Sequence, residues 1–391
     1  MTYLDHAATT RVLPTVIQKI SEVMALTGNA SSLHKSGREA RKTVEIAREQ
    51  ISDSLHCLPS EVIFTAGGTE SDNLAVKGLY WLRHNADSRR TRILASAVEH
   101  HAVLDPLVWL GESEGAEIEW LKVDALGRVD LEALRATVEQ DPESVALISV
   151  MWANNEVGTV EPIEEIIELA HKYSIPVHSD AVQVIGWLPI DFKASGLDAM
   201  TISGHKLGGP MGVGALILKR DFKPVPVLHG GGQEREVRSG TLATHLIAGF
   251  GLAVADAVAN QAERATRVSE LRDILIERVL AAVPAAHLNG DRVERLPGNA
   301  HFSFEGCEGD ALLMLLDAAG IECSTGSACT AGIPQPSHVL LAMGVPVDVA
   351  VGSLRFSLGA SSTLADVDAL LEVLPGVVVR AQRAGKTARS A

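Results

Sequence analysis

Short apolar runs alternate with longer amphipathic stretches along the chain as far as Lys219. The short runs are rich in β-branched residues, which is typical of buried strands; they read EVIFT, RILAS, IEWLKV, VALISVMW, IPVHSD, AMTIS and GALILK. Strands that alternate with helices predict a mostly parallel sheet that helices cover on both faces. The pattern therefore predicts an α/β domain built on a seven-stranded sheet.

The alternation stops near Lys219, and a second pattern follows. From Thr244 to about Ala282 the spacing of apolar residues predicts long helix, with a break near Asn260. The stretches after it, NAHFSFEG, GDALLMLLDAAG, SLRFSLG and ADVDALLEVL, predict a smaller α+β domain. We expect a large domain over residues 1–250, whose N-terminal segment can pack with the small domain. Residues 251–391 then form a linking helix and the small domain.

One helix start can be predicted in detail. The stretch SGREARKTVEIAREQISDSL carries apolar residues at helical spacing, and Glu39 follows Ser36 by three positions. A serine and a glutamate at this spacing form a capping box, so Ser36 is the predicted N-cap.

The composition is that of a globular protein. Hydrophobic residues make up 46% of the chain and charged residues 21%, and the formal net charge is −15. An acidic chain without a basic stripe argues against direct nucleic-acid binding, because phosphates require cationic partners. The most apolar window, residues 246–258, is too short to span a bilayer, and no secretory signal is visible at the N-terminus. We therefore expect a cytoplasmic protein without a membrane partner.

Polar side chains follow five of the predicted strands at the points where the strands end. The carboxyl ends of parallel strands meet at one edge of a sheet, and this edge is where ligands bind in open α/β folds. These side chains should therefore line one pocket. They are Thr69, His100, Asn154, Asn155, Asp180, Gln183, Ser203, His205 and Lys206.

This set of residues suits pyridoxal 5'-phosphate. Thr69 lies in TAGGTESDN, a glycine pair before a helix start, which offers N–H groups and a hydroxyl to a phosphate. Lys206 can bind an aldehyde, Asp180 can keep a pyridine nitrogen protonated, and His100 can stack on the ring. The nucleotide-binding glycine motifs are absent from the sequence. Asp180 could instead be an ordinary helix N-cap.

A metal site is the alternative for His100 and the adjacent His101. No H-E-x-x-H motif and no cluster of histidines and carboxylates supports it, so we expect no metal. The four cysteines, Cys57, Cys307, Cys323 and Cys329, are too few and too scattered to predict a disulfide framework or a zinc site. Free thiols are expected.

A series of motifs resembles one enzyme family over almost the whole chain. In order they read YLDHAATT, TAGGTESDNLAVKG, EHHAVL, ANNEVG, HSDAVQ, SGHKLGGPMGVGAL, GGGQEREVRSGT and STGSACT. These motifs resemble those of cysteine desulfurases with the class V aminotransferase fold, the NifS/IscS type. The resemblance implies a fold type I homodimer that binds pyridoxal 5'-phosphate. It also implies an enzyme that takes sulfur from L-cysteine, releases alanine and carries the sulfur as a persulfide.

The resemblance also implies roles for single residues. Lys206 matches the Schiff-base lysine, Asp180 the partner of the pyridine nitrogen, and His100 the stacking histidine, which is also a candidate for proton transfer. Cys329 matches the persulfide cysteine, and Arg355 the arginine that binds the substrate carboxylate.

Further positions match residues that bind the cofactor. Gly68, Thr69, Ser203 and His205 match the phosphate cup, while Gln183 and Asn155 match groups near the 3'-hydroxyl. Asn155 is also a candidate for contact with the substrate. Thr241 matches a phosphate contact that the neighbouring subunit supplies, which implies a homodimer.

The sequence around Cys329 suits a mobile nucleophile. The stretch CSTGSACTAG has two glycines and only small residues near the thiol, as expected of a loop that carries sulfur to an acceptor. A thiol with an ordinary pKa is only about 3% thiolate at pH 7, so local activation is needed. A buried structural thiol is the alternative for Cys329, and it is the interpretation we give to Cys57, Cys307 and Cys323.

Arg355 lies in SLRFSLG, where Leu354, Phe356 and Leu358 alternate with Arg355 and Ser357. Alternation turns the guanidinium away from the apolar face of the strand. A planar guanidinium can bind a carboxylate through two hydrogen bonds. Without the resemblance, a surface ion pair would be the favoured interpretation.

Two other functions stay open from the sequence. A selenocysteine lyase, or another class V enzyme of the same fold, would use the same pocket. A non-enzymatic sulfur carrier or iron–sulfur scaffold would use the cysteines alone, although only one of them lies in a suitable loop. For a desulfurase, the expected partners are L-cysteine, a second copy of the chain, and an acceptor such as an iron–sulfur scaffold or a tRNA-thiolating enzyme.

Overall fold

The structure is a computed structural model that describes residues 1–326 and 336–389, with side chains as far as residue 383. Cys329 lies outside the described residues.

The strands of the described residues are β1 (Thr2–Tyr3), β2 (Val62–Thr65), β3 (Arg92–Ser96), β4 (Glu117–Leu121), β5 (Val145–Ser149), β6 (Val177–Asp180), β7 (Ala199–Ser203), β8 (Gly214–Leu218), β9 (Ala286–Asn289), β10 (Asn299–Phe304), β11 (Ile321–Glu322) and β12 (Ser353–Ser357).

The helices are α1 (Pro14–Met24), α2 (Lys35–Leu55), α3 (Gly68–Ala86), α4 (His101–Glu114), α5 (Leu131–Gln140), α6 (Ile163–Lys172), α7 (Phe192–Ser195), α8 (Thr244–Ala259), α9 (Gln261–Ala282), α10 (Gly309–Ala318), α11 (His338–Ala342), α12 (Val347–Ala350) and α13 (Leu364–Arg389). Short 3₁₀ turns lie at Pro59–Glu61 and Gly204–Lys206.

Seven strands form the central sheet in the order β2-β8-β7-β6-β5-β3-β4. The predicted α/β fold with a mostly parallel seven-stranded sheet is confirmed. Only β8 runs against its neighbours, β2 and β7, within the described part of the chain. Strands such as β3, β5 and β7 are buried at every position because helices cover both faces, which explains their continuous apolar runs.

The reversal into β8 brings the backbone close to two neighbouring segments. Gly214 begins β8 and pairs with Thr65 on one side and Ser203 on the other. A Cβ atom at Gly214 would lie 2.6 Å from the carbonyl oxygen of Ile202 and 2.9 Å from the Cα of Gly67. Glycine is therefore required there by close packing.

A second hydrophobic core lies around a smaller antiparallel sheet with the order β12-β10-β9. Helices α9, α10 and α13 contribute Ile276, Leu312 and Leu370 to it, and Leu4 at the N-terminus packs into the same cluster. Helix α8 instead buries Phe250 in the core of the large sheet. The chain thus passes from one core to the other at the break between α8 and α9. The exact domain boundary near residue 250 stays a prediction.

The N-terminus of α2 differs from the prediction. The helix begins at Lys35, and its N-cap is His34, whose Nδ1 accepts a hydrogen bond from the Gly37 N–H at 3.3 Å. Ser36 lies inside the first turn, so the predicted capping box is wrong. The imidazole of His34 takes the acceptor role that the sequence rule gives to a serine.

None of the helices in residues 1–326 and 336–389 combines the length and the apolar character that a membrane crossing needs.

Glu161 is a buried carboxyl group between β5 and α6. Its Oε2 accepts a hydrogen bond from the Val129 N–H at 2.9 Å, and its Oε1 has no partner among the described residues. Burial raises the pKa of Glu161 to about 8. The folded chain therefore holds a proton there at neutral pH that the unfolded chain has released.

This carboxyl group should make stability fall as the pH rises. Between the ordinary pKa of 4.5 and the folded value of about 8, the folded state binds more protons than the unfolded state. The contribution of Glu161 to the free energy of unfolding of the cofactor-free protein should therefore decrease from pH 5 to pH 8, by at most about 1.4 kcal/mol per pH unit. In urea titrations, the free energy of unfolding of Glu161→Gln should fall less, or rise more, over this pH range than that of the wild type. The exposed Glu165→Gln is the control, and equal slopes in both variants would contradict the prediction.

Candidate functional site

A cavity of about 350 Å³ lies at the carboxyl edge of the central sheet. The loops after β2, β3, β5, β6 and β7 all contribute to its wall, as expected for strands that run in one direction. The predicted site residues that line it are Gly68, Thr69, His100, Asn155, Asp180, Gln183, Ser203, His205, Lys206 and Arg355.

Lys206 follows β7 in a 3₁₀ turn and reaches the N-terminal segment of the chain. Its Nζ donates hydrogen bonds to the backbone carbonyls of Ala7 and Ala8, the second at 2.6 Å. Burial and the nearby Arg355 charge lower the pKa of Lys206 to about 8. A substantial fraction of this amine is therefore neutral near physiological pH, as a nucleophile or base requires.

Asp180 ends β6 and is buried in the wall of the same cavity. Its Oδ1 accepts a hydrogen bond from the Val182 N–H at 2.8 Å. Burial raises the pKa of Asp180 to about 6, while this hydrogen bond and the Lys206 charge act in the opposite direction. Asp180 is therefore an anion at neutral pH, and the cavity presents it together with the Lys206 amine.

His100 is the N-cap of α4, and its Nδ1 accepts a hydrogen bond from the Ala102 N–H at 3.1 Å. This bond assigns the ring proton of the neutral form to Nε2. The ring is accessible from the cavity, yet partial desolvation and the Lys206 charge lower the pKa of His100 to about 4. The imidazole is therefore uncharged at neutral pH, as stacking on an aromatic ring and proton transfer both allow.

One end of the cavity suits a phosphate group. Gly68 and Thr69 form the first turn of α3, and Ser203 and His205 lie beside them in the cavity wall. The N-terminus of a helix carries free N–H groups and partial positive charge. A Cβ atom on Gly68 would lie 3.1 Å from Val182 and 3.7 Å from Ser203, so the glycine keeps this end open. The residues present therefore fit a phosphorylated ligand.

Arg355 lies on β12, and the residue is 4% exposed. The neighbours Leu354, Phe356 and Leu358 pack in the second core, while Arg355 lines the cavity. Its Nη1 donates to the Asn155 carbonyl at 2.8 Å, and its Nη2 donates to Asp5 Oδ1 at 2.8 Å. Arg355 therefore forms an ion pair with Asp5 in the interior and not at the surface.

Gln183 and Asn155 connect the cavity to its surroundings through single hydrogen bonds. The Gln183 side chain donates to the Ala7 carbonyl at 3.0 Å, and the Asn155 backbone carbonyl accepts from Arg355. Asn154, which the strand-end rule also pointed to, is fully buried and binds the Val98 carbonyl and the N–H groups of its own turn. Asn154 shapes the loop, and it does not line the cavity.

Thr241 is exposed and does not line the cavity of its own chain. The resemblance implies that Thr241 contacts the cofactor phosphate in the neighbouring subunit, and this stays a prediction.

The described cysteines have properties of structural thiols. Cys57, Cys307 and Cys323 are free, and burial raises their pKa values to about 12, 11 and 12. They are therefore thiols at neutral pH and poor nucleophiles. The segment that holds Cys329 lies outside the described residues, but Gly326 before it and His338 after it both line the cavity.

Sequence reasoning missed several residues of the cavity wall. Ala7 and Ala8 follow a two-residue strand at the N-terminus, where the strand-end rule gives no signal, although the motif YLDHAATT points to the segment. Two buried acids, Asp72 and Glu156, were also missed because a carboxylate on a helix or loop usually faces solvent. Burial raises the pKa of both groups, and the Asp180 charge adds to the effect at Asp72.

Comparisons with known proteins place this fold and cavity in one family. The aminotransferase class-V profile matches residues 2–370. An IscS-like cysteine desulfurase from Mycobacterium tuberculosis (strain ATCC 25618 / H37Rv) is 59% identical to this chain, over 100% of both proteins.

Solved structures agree with the sequence comparison. A NifS-like protein from Rickettsia africae is 36% identical and has a TM-score of 0.87, with 96% of this chain and 99% of that chain covered. SspA in complex with cysteine is 33% identical and has a TM-score of 0.80, with 93% and 100% covered. Sequence identity of 33–59% over nearly the full length indicates common family membership as well as a common fold. The chain belongs to the class V aminotransferase family, which depends on pyridoxal phosphate, and within it to the cysteine desulfurases of the IscS/NifS type.

Proposed function

We propose that this protein is a cysteine desulfurase that converts L-cysteine to L-alanine and holds the sulfur as a persulfide on Cys329. The observation that carries the proposal is one cavity lined by the Lys206 amine, the Asp180 carboxylate, the N-terminus of α3 and the Arg355 guanidinium. The membership of the family of cysteine desulfurases supports the same reaction.

The residues around the cavity fit pyridoxal 5'-phosphate. Lys206 would hold its aldehyde and Asp180 its ring nitrogen, while His100 would face the ring and Gln183 and Asn155 would lie near the 3'-hydroxyl. Its phosphate would bind at Gly68, Thr69, Ser203 and His205, with Thr241 supplied by a second copy in a homodimer. When bound, the cofactor supplies an electron sink for negative charge at the substrate α-carbon.

Substrate binding follows from charge and geometry. Arg355 offers a carboxylate a buried guanidinium, and Asn155 holds that guanidinium from the opposite loop. Lys206 takes the α-proton, and its pKa of about 8 lets the amine accept and return a proton near neutral pH. The carbonyls of Ala7 and Ala8 stabilise the resulting ammonium group.

Sulfur transfer completes the reaction. The Cys329 thiolate attacks the sulfur atom of the substrate, and an S–S bond forms as the C–S bond breaks. The carbon keeps the electron pair of the broken bond and is protonated, which gives alanine. The persulfide then passes to an acceptor protein, either an iron–sulfur scaffold or a tRNA-thiolating enzyme. Gly326 and His338, at the two sides of the Cys329 segment, line the cavity and support this route.

Spectra and turnover of two variants test the proposal. Wild-type protein incubated with pyridoxal phosphate should show the absorption band of a lysine-bound cofactor and should produce alanine from L-cysteine. Lys206→Ala should lose both. Cys329→Ser should keep the band and lose more than about 100-fold of the turnover, because the nucleophile is gone. The matched control Cys323→Ser, which removes a partly buried thiol with a raised pKa, should keep both.

Other outcomes would favour the alternatives. A wild-type protein without any cofactor band would favour a sulfur carrier or scaffold. A Cys329→Ser variant that still turns over selenocysteine while cysteine turnover is lost would favour a selenocysteine lyase.

The lowered pKa of Lys206 gives a separate prediction. In the cofactor-free protein, acylation of Lys206 by a succinimidyl ester should rise with pH and reach half its maximum near pH 8, because only the neutral amine reacts. Peptide mass spectrometry measures the modified fraction, and the exposed Lys35 serves as the internal control. A half-maximum for Lys206 that is no lower than that of Lys35 would contradict the burial argument.

A further inference from the structure

The guanidinium of Arg355 already has an anionic partner. Asp5 Oδ1 accepts from Nη2 at 2.8 Å, with 5% of the Arg355 side chain and 21% of the Asp5 side chain exposed. The Asn155 carbonyl takes Nη1, and Nε is buried without a partner among the described residues. The unused Nε donor of Arg355 is thus buried beside the nitrogen that Asp5 occupies.

Asp5 is fixed in this position by its backbone. The segment from Asp5 to Ala7 is bound to Ser357, two residues beyond Arg355 on β12: the His6 N–H donates to the Ser357 carbonyl and the Ala7 N–H donates to the Ser357 hydroxyl at 2.9 Å. The Asp5 carbonyl also accepts from the Ala8 N–H at 3.0 Å. The backbone that carries the Asp5 carboxylate is therefore held beside Arg355.

A carboxylate that enters this site would meet a like charge. It would compete with Asp5 for the Arg355 guanidinium, so two carboxylates would lie around one cation. Like charges a few ångströms apart repel strongly where water is largely excluded. The Asp5–Arg355 pair is neutral, whereas Arg355 alone would present a full positive charge to the ligand.

We propose that Asp5 is a specificity-determining residue that competes with the ligand carboxylate for Arg355 and so weakens the binding of the substrate and the product alike. The proposal rests on the proposed function, because it takes Arg355 as the carboxylate-binding residue. L-Alanine carries the same carboxylate as L-cysteine, so a site that bound this group tightly would release its product slowly. Asp5 keeps the carboxylate contact weak enough for turnover.

A purely structural role for Asp5 predicts the opposite change in carboxylate affinity. If the ion pair only holds Arg355 in place, removal of the Asp5 charge would loosen the guanidinium and weaken carboxylate binding. The two roles are therefore distinguished by the direction in which affinity changes.

The test is Asp5→Asn, which keeps the size of the side chain and removes its charge. The KM for L-cysteine and the inhibition constant of L-alanine should both fall about three- to tenfold, because one of two competing anions is gone. Binding of L-alanine, measured by calorimetry, should tighten by the same factor. Cysteamine has the thiol and the amine but no carboxylate, and its affinity should not change. Asp5→Glu keeps the charge and should not lower either constant.

Several outcomes would overturn the proposal. These are a higher KM for L-cysteine in Asp5→Asn, unchanged alanine binding, and an equal gain in affinity for cysteamine. Asp5→Ser provides a second variant without the charge if Asp5→Asn does not fold. Arg355→Lys in the same assays separates this inference from the proposed function: if Arg355→Lys leaves cysteine turnover and KM unchanged, the substrate site itself is wrong.

Discussion

The ammonium group of Lys206 is held by two backbone carbonyls from the other end of the sequence, those of Ala7 and Ala8. The contact joins a turn after β7 to a segment that also hydrogen-bonds Gln183 and ion-pairs with Arg355. The N-terminal segment thus passes from β12 at Asp5 to the edge of the large sheet at Ala7 and Ala8. This one segment contacts both the Lys206 amine and the Arg355 guanidinium, the two groups to which we assign the cofactor aldehyde and the substrate carboxylate.

Charge in the cavity is balanced between few cations and several buried acids. Lys206 and Arg355 line the cavity together with Asp180, Asp72 and Glu156, and Asp5 pairs with Arg355. Burial raises the pKa values of Asp180, Asp72 and Glu156. A raised pKa favours the neutral form of Asp72 and of Glu156, which lessens the repulsion that these groups exert on the Asp180 carboxylate. The lowered pKa values of Lys206, His100 and His205 follow from the same desolvation.

Much of this arrangement could be predicted from the sequence, and the reason is topological. Parallel strands end at one edge, so residues as distant as Thr69 and Lys206 could be assigned to one pocket from strand ends alone. The strand-end rule failed for residues that do not follow a strand of the large sheet and for a side chain that is used within its own turn. It gave no position for Asp5, Ala7 or Ala8, which follow a two-residue strand, and it included Asn154, whose amide is used within its own turn. The buried acids could not be predicted because burial of a helix carboxylate depends on what packs over it, as at Asp72. The N-cap of α2 was predicted as Ser36 but is His34, because an imidazole nitrogen can accept the same hydrogen bond as a serine hydroxyl.

The antiparallel strand β8 explains the glycines around the lysine. The chain leaves Lys206, reverses and re-enters the sheet at Gly214, against the backbone of Gly67 at the start of α3. Gly214 therefore packs behind the N-terminus of α3, which we propose binds the phosphate. Gly214 itself does not line the cavity. A methyl group added at Gly214 would push on this turn from inside the protein. If the turn binds the phosphate as we propose, the affinity for a vitamin-derived cofactor depends on a buried position that the ligand does not contact.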